Sequence, residues 1–204
     1  MLKLYYAPGT CSLACWIALE WSGLEYETVR VNYNDPEYRK INPLGMVPAL
    51  EIGADRPMTQ AGAILQYIAN LVPEKDLGAN EGLENIFEFD ETALFLSADI
   101  HPSFWPFFNP QRYTISENSD TIEMARKSAP ARIDANFKHL DDIIGDSNHL
   151  YQNKRTVLDA LAFIFATWTK NLEKTYKDYP NVKRMVEHLK EDPAVQKVLT
   201  ESNE

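Results

Sequence analysis

Hydrophobic and polar positions repeat with two periods along this chain, and the change of period divides it. The apolar run "LKLYY" at residues 2–6 is stopped by "APG", the pattern of a short strand and a turn. From Cys11 to Ser22 the spacing becomes helical, with Leu13, Ala14, Ile17 and Trp21 on one face and Gly23 as the stop. "YETVRV" returns to strand alternation, and the polar stretch "NYNDPEYRKINPLG" (32–45) reads as a loop. "VPALEI" and "PMT" read as two strands joined by the turn "GADR", and Ile64, Leu65 and Ile68 mark a helix over 61–71. The order is β-α-β-loop-β-β-α: an α/β unit carrying a hairpin.

Beyond residue 80 no strand pattern appears. "LENIFEFDETALFLSADIHPSFWPFF" predicts a long helix interrupted by Pro102 and Pro106, and residues 123–144 predict a second. "TVLDALAFIFATWTKNL" predicts a third, with Leu158, Leu161, Ala162, Phe165 and Trp168 forming a stripe broad enough for the centre of a helical core. Thr156 and Asp159, three residues apart, have capping-box spacing at its start. "VKRMVEHLKEDPAVQKVL" predicts a broken amphipathic helix near the end. "NLVPEKDLGANEG" joins the halves, so the expected organisation is an α/β domain over 1–75, a linker over 76–86 and an all-α domain over 87–204.

Composition narrows the function. A 45% hydrophobic content over 204 residues suffices for a buried core. The net charge is −10; residues 1–80 hold 6 of the 20 basic and 9 of the 30 acidic residues. That field repels phosphate backbones, so no nucleic-acid partner is expected. No run approaches the roughly 18 to 20 apolar residues that span a membrane, and "MLKLYYAPG" lacks the apolar core of a signal peptide. A cytoplasmic protein without a membrane partner is the expectation.

Both cysteines of the chain, Cys11 and Cys15, fall in "YYAPGTCSLACWIALEWSG". Their C-x3-C spacing is neither a redox C-x-x-C nor a zinc knuckle, and the four histidines form no ligand cluster, so no metal is expected. Cys11 would stand at the first turn of a helix, where free N–H groups and the positive end of the dipole favour a thiolate. A thiol pKa below the ordinary value of about 8.5 follows as an expectation. Cys15, one turn on, reads as a core residue.

Four ordered segments, "YYAPGTCSLA", "INPLGMVPAL", "TVLDALAF" and "DPAVQKVL", together resemble the cytosolic glutathione transferases, with the bacterial beta class the nearest type. The resemblance implies a thioredoxin-like N-terminal domain, an all-helical C-terminal domain and a homodimer. It implies glutathione as co-substrate with no further cofactor, and small apolar electrophiles as partners. In that family the cysteine at the place of Cys11 contacts the glutathione sulfur and can form a mixed disulfide with it. Tyr6 and Ser12 stand where other classes carry the activating hydroxyl. Val47, before a cis Pro48, implies a backbone contact to the cysteinyl part of glutathione. Gln60 and Ala61 occupy the γ-glutamyl site, with alanine in place of the usual serine. His101 implies a group near the cysteine that shares a proton or orients a substrate, and Phe104, Trp105 and Phe108 imply the electrophile pocket. Conjugation and thiol–disulfide exchange are both implied activities. The alternative is a binding or regulatory protein that keeps the fold without turnover, to which Ala61 is suited.

Overall fold

A computed structural model gives the structure of the chain and describes residues 1–203. Strand β1 (Leu2–Tyr6) leads through helix α1 (Ser12–Ser22) to β2 (Tyr26–Arg30), which pairs parallel to β1 with Leu4 opposite Thr28. The parallel pairing requires a crossover, and α1 supplies it. Gly23 ends α1 in the left-handed conformation, at φ 70°, which suits a residue without Cβ. Strand β3 (Ala49–Glu51) adds antiparallel to β1, and β4 (Met58–Thr59) antiparallel to β3, giving the sheet order β2-β1-β3-β4. Helix α3 (Ala61–Leu71) closes the unit, packing beside α1 through Ile64, Leu65 and Ile68.

One element of this half was not expected. The polar segment 32–45 contains a single helical turn, α2 (Tyr38–Ile41), anchored by Tyr38, which is buried and donates its hydroxyl to the Met46 carbonyl at 2.7 Å. Too short and polar to show a periodic stripe, it is held by that one aromatic. The observed order is therefore βαβαββα, a thioredoxin-like unit.

The second half is helical. Helix α4 (Leu83–Leu94) runs into a wider π-helical turn at Phe95–Ile100, then into the short helices α5 (His101–Ser103) and α6 (Trp105–Phe108). The widening has a local cause. Pro102 has no N–H to donate and its ring crowds the carbonyl four residues back, so the preceding turn loosens, with the His101 N–H reaching the Leu96 carbonyl. The helix expected at 123–144 is two: α7 (Ser119–Lys127), capped by the Asn118 side chain, and α8 (Ala129–Ile144), which restarts with Pro130 in its first turn.

Helix α9 (Val157–Trp168) is buried on every side from Val157 to Ala166, so its core is wider than the sequence stripe. Its capping box is complete: Asp159 accepts the Thr156 N–H at 2.7 Å and the Leu150 N–H at 2.9 Å. Helices α10 (Pro180–Lys190) and α11 (Pro193–Glu201) finish the fold.

The halves share one core, with α1 packed between α3 and α9. Polar ties join them at the rim. Val157 donates to the Leu77 carbonyl at 3.0 Å, and the Trp21 indole donates to Asp192 at 3.1 Å. Arg155 pairs with Asp192 at 2.8 Å and lies over the Trp21 ring. Among the described residues, no helix is long and apolar enough to cross a membrane.

Candidate active site

A cleft of about 610 Å³ opens between the two halves, and its floor is the start of α1. The turn Ala7–Thr10 delivers the chain into that helix, with Gly9 at φ 69°. Ser12 Oγ accepts the Ala7 N–H at 3.1 Å and lies 2.6 Å from Thr10 Oγ1, which in turn donates to the Ala7 carbonyl at 2.9 Å. These bonds set Cys11 at the N-cap of α1, 6% exposed, with its Sγ donating to the Val47 carbonyl at 3.7 Å.

The opposite lip is built from the loop before β3. Asn42 is buried, donates to the Met46 carbonyl at 2.6 Å and accepts the Leu44 N–H at 3.2 Å. The Tyr38 hydroxyl shares the Met46 carbonyl. The Val47–Pro48 peptide that follows is cis. At the far end Gln60 opens α3 at φ 74°, a left-handed conformation rarely adopted outside glycine and asparagine. No side chain caps α3, so the N–H groups of Ala61, Gly62 and Ala63 have no intrahelical partner where they line the cleft. Gly62 packs closely there: a Cβ would lie 2.9 Å from Ser97 Oγ on the π-helical turn, so the serine hydroxyl would have to rotate away.

The helical domain supplies the apolar wall. His101, at the end of the π-helical turn, is enclosed by the rings of Phe165, Trp168 and Trp105 at centroid distances of 5.1, 5.3 and 5.7 Å. The Trp168 indole N–H donates to the Gly9 carbonyl at 2.8 Å, tying this wall to the turn that carries Cys11.

Two titrations are shifted by this enclosure. Burial pushes the Cys11 thiol up from 9.0 to about 12, against a smaller lowering from a backbone N–H. Burial also lowers His101 from 6.5 to about 4. Both groups are therefore uncharged at neutral pH, which reverses the expected thiolate: taking the sulfur out of water outweighs the helix end. It also makes His101 a neutral imidazole and a weak proton acceptor at neutral pH.

Residues 1–70 match the family described as glutathione S-transferase, N-terminal domain, and residues 99–202 match its C-terminal domain. The chain belongs to the glutathione S-transferase family. Glutathione S-transferase GST-4.5 of Xanthomonas campestris is 32% identical over 82% of each chain. The bacterial beta class transferase of Sphingomonas chungbukensis superposes with a TM-score of 0.84 at 28% identity over 98% of each chain. A sphingomonad glutathione S-transferase complexed with glutathione superposes at 0.85 with 26% identity, also over 98% of each chain.

Within this family fold the residues singled out from sequence separate into two groups. Cys11, Val47, Pro48, Gln60, Ala61, His101 and Trp105 line the one cleft. Tyr6, Ser12, Phe104 and Phe108 do not. Tyr6 is buried with its ring against Trp16, and Ser12 is buried with its hydroxyl committed to the Ala7 turn, so neither reaches a ligand sulfur. Phe104 is fully buried, packed edge-on against Phe137 and Trp168. Phe108 stacks on Phe104 and lies edge-on to Trp168, behind the wall rather than on it. In a short helix only some of adjacent aromatics share a face, and Trp105 takes the cleft. The remaining wall comes from Leu161 and Phe165, which the α9 stripe marked only as core. Asn42, Gln66 and Ser97 carried no sequence signal of their own beyond the "NPLG" stretch and the Pro102 break.

Among the described residues no group of three or more His, Cys, Asp or Glu is placed to hold a metal. A separate cavity of about 470 Å³ is lined by Lys75, Lys154, Arg155, His149 and His188. Its lining also carries Asp76, Glu191 and Asp192, and Lys154 pairs with Asp76 and Arg155 with Asp192.

Proposed function

We propose that the chain is a glutathione transferase that holds glutathione along Val47, its γ-glutamyl end toward Gln60 and Ala61, and its sulfur beside Cys11. The observation that carries this reading is the Cys11 Sγ facing the Val47 carbonyl at 3.7 Å across the cleft floor. A glutathione amide N–H taking that carbonyl releases the Cys11 S–H to donate to the ligand sulfur. A donor at that place favours the ligand's thiolate. Cys11 then acts as a hydrogen-bond donor, and the attacking sulfur is glutathione's own.

The thiolate attacks an apolar electrophile held against Trp105, Leu161 and Phe165, forming the new C–S bond as the leaving group departs with its electron pair. Thiol–disulfide exchange follows the same geometry: the thiolate attacks one sulfur of a disulfide and the other leaves as thiolate. Exchange through Cys11 itself requires ligand binding to expose and deprotonate it. A homodimer and a cytoplasmic location belong to the same reading. For the dimer, Leu83, Phe87 and Leu94 stand largely in solvent on one face of α4, and a second copy would cover them.

A second reading, a binding protein without turnover, is favoured by Ala61 and by the protonated Cys11. Calorimetric titration with glutathione, paired with a conjugation assay on a chlorodinitrobenzene, separates the two. Saturable binding with turnover that falls in Cys11→Ala supports the transferase. Binding without turnover supports the second reading, and no binding overturns both.

A further inference from the structure

The electrophile side of the cleft holds a polar group whose hydrogen bonds are unspent. Burial is the sole cause of the shifted titration of His101, with no charge or hydrogen bond from a neighbour contributing. Its ring nitrogens therefore have no partner among the described residues where it lines the cleft. A neutral imidazole offers one N–H donor and one nitrogen acceptor. The nearby Ser97 hydroxyl is committed to the Ala93 carbonyl at 2.8 Å. No Asp, Glu, Lys or Arg lines the cleft. A charged electrophile would be desolvated on this wall without a countercharge, and a halide departing as an anion would find none either. An electron pair delivered onto an oxygen beside the His101 N–H suits the same wall.

Resting on the reading of this cleft as a glutathione transferase site, we infer that His101 is a catalytic residue that donates its imidazole N–H to the carbonyl oxygen of uncharged α,β-unsaturated ketones and aldehydes, and that the cleft prefers these electrophiles. The glutathione thiolate forms a C–S bond at the β-carbon. The C=C electron pair moves into a new double bond to the carbonyl carbon, and the carbonyl π pair moves onto oxygen. Water then gives a proton to the α-carbon as the carbonyl reforms, so nothing leaves and nothing is oxidised or reduced. The His101 bond strengthens as charge grows on that oxygen, which makes it an interaction of the transition state. A neutral imidazole suits this role because it donates without bringing a buried charge of its own. Trp168 links the two ends of the reaction: its ring packs on His101, and its indole N–H donates to the Gly9 carbonyl on the turn that carries Cys11.

The test measures kcat/KM of the full chain with glutathione for benzylideneacetone and for benzyl chloride. Both are uncharged and carry a phenyl ring, and the second has no acceptor oxygen. Each value is divided by the rate constant of the uncatalysed reaction. Wild type should accelerate the enone about tenfold or more over the chloride. In His101→Phe, which replaces a ring by a ring, that ratio should fall about tenfold or more, as for loss of a bond to a charged oxygen. His101→Gln retains an N–H donor and should bring the ratio back to within about threefold of wild type. A ratio unchanged in His101→Phe, with both substrates slowed together, overturns the inference. So does a ratio as low in His101→Gln as in His101→Phe. Equal acceleration of the two substrates by wild type also overturns it, and that comparison needs no variant to fold. If wild type turns over neither substrate, the transferase reading itself falls.

Discussion

In the ligand-free protein Cys11 should remain a thiol through the whole neutral range, and Cys11→Ser isolates its titration. Burial raises this thiol from 9.0 to about 12, three decades in the equilibrium or about 4 kcal/mol. A helix N-terminus returns roughly 0.3–1 kcal/mol at exposed sites and about 2 at best, so desolvation prevails. At pH 7.5 the thiolate fraction is then about one in 30,000, against about one in 30 without the shift. The sign for stability follows. Because the folded pKa lies above the unfolded one, the contribution is complete below pH 9 and is lost as pH rises through about 12. The assay is thiolate absorbance of wild type and Cys11→Ser from pH 4 to 11, with iodoacetamide alkylation at pH 7.5 as a second reading. No Cys11-dependent step below pH 9 is expected, and alkylation should be about a thousandfold slower than for free cysteine. Adding glutathione should introduce a step at lower pH that belongs to the ligand and is diminished in Cys11→Ser. A Cys11-dependent step below about 8.5 in the free protein would refute the argument from burial.

His101 is neutral in the fold and titrates near 4 rather than 6.5, so the unfolded chain takes up its proton first as pH falls. Stability should decline between pH 6.5 and 4 by up to about 3 kcal/mol on this account; urea midpoints that fall equally in His101→Phe would exclude it. Asp159→Ala orphans the buried N–H groups of Thr156 and Leu150, at about 1–3 kcal/mol each. A total loss of about 3–5 kcal/mol is expected in chemical denaturation, and a loss under 1 would show that these bonds are not needed. Trp168→Phe keeps the ring packing but drops the N–H to Gly9. It should cost about 1 kcal/mol and speed amide hydrogen exchange at residues 8–12; unchanged exchange there would contradict the tie.

Elements with a complete local signature were legible in the sequence. α1 carries both its Pro-Gly entry and its Gly23 exit, and α9 carries its capping box, so each is specified by residues within its own length. α2 was missed because its anchor is a bond from Tyr38 to the Met46 carbonyl, outside the turn itself. The split between α7 and α8 was written at Pro130 but hidden by a helical spacing that continues through it. The π-helical turn has its cause, Pro102, in plain view. Its consequence, the placement of Ser97 against Gly62 and of His101 in an aromatic enclosure, exists only once α3 and α9 are packed.

The site divides along the same line. A motif fixes which residues share a turn, and so it brought Cys11, Val47 and Gln60 to one cleft. It does not fix which way adjacent side chains point, and Phe104 and Trp105 differ by a single residue yet face opposite environments. Nor does it fix their titration. The helix end beside Cys11 is a local feature and pulls toward thiolate. The burial that opposes it is a sum over Val47 across the cleft and the packed halves around it, and that sum is larger. Chemistry inferred from a motif therefore holds for position and can reverse for charge, since dehydration is collective and the motif is not. On the proposed reading of this cleft, the reversal makes Cys11 a hydrogen-bond donor and leaves the nucleophile to the ligand.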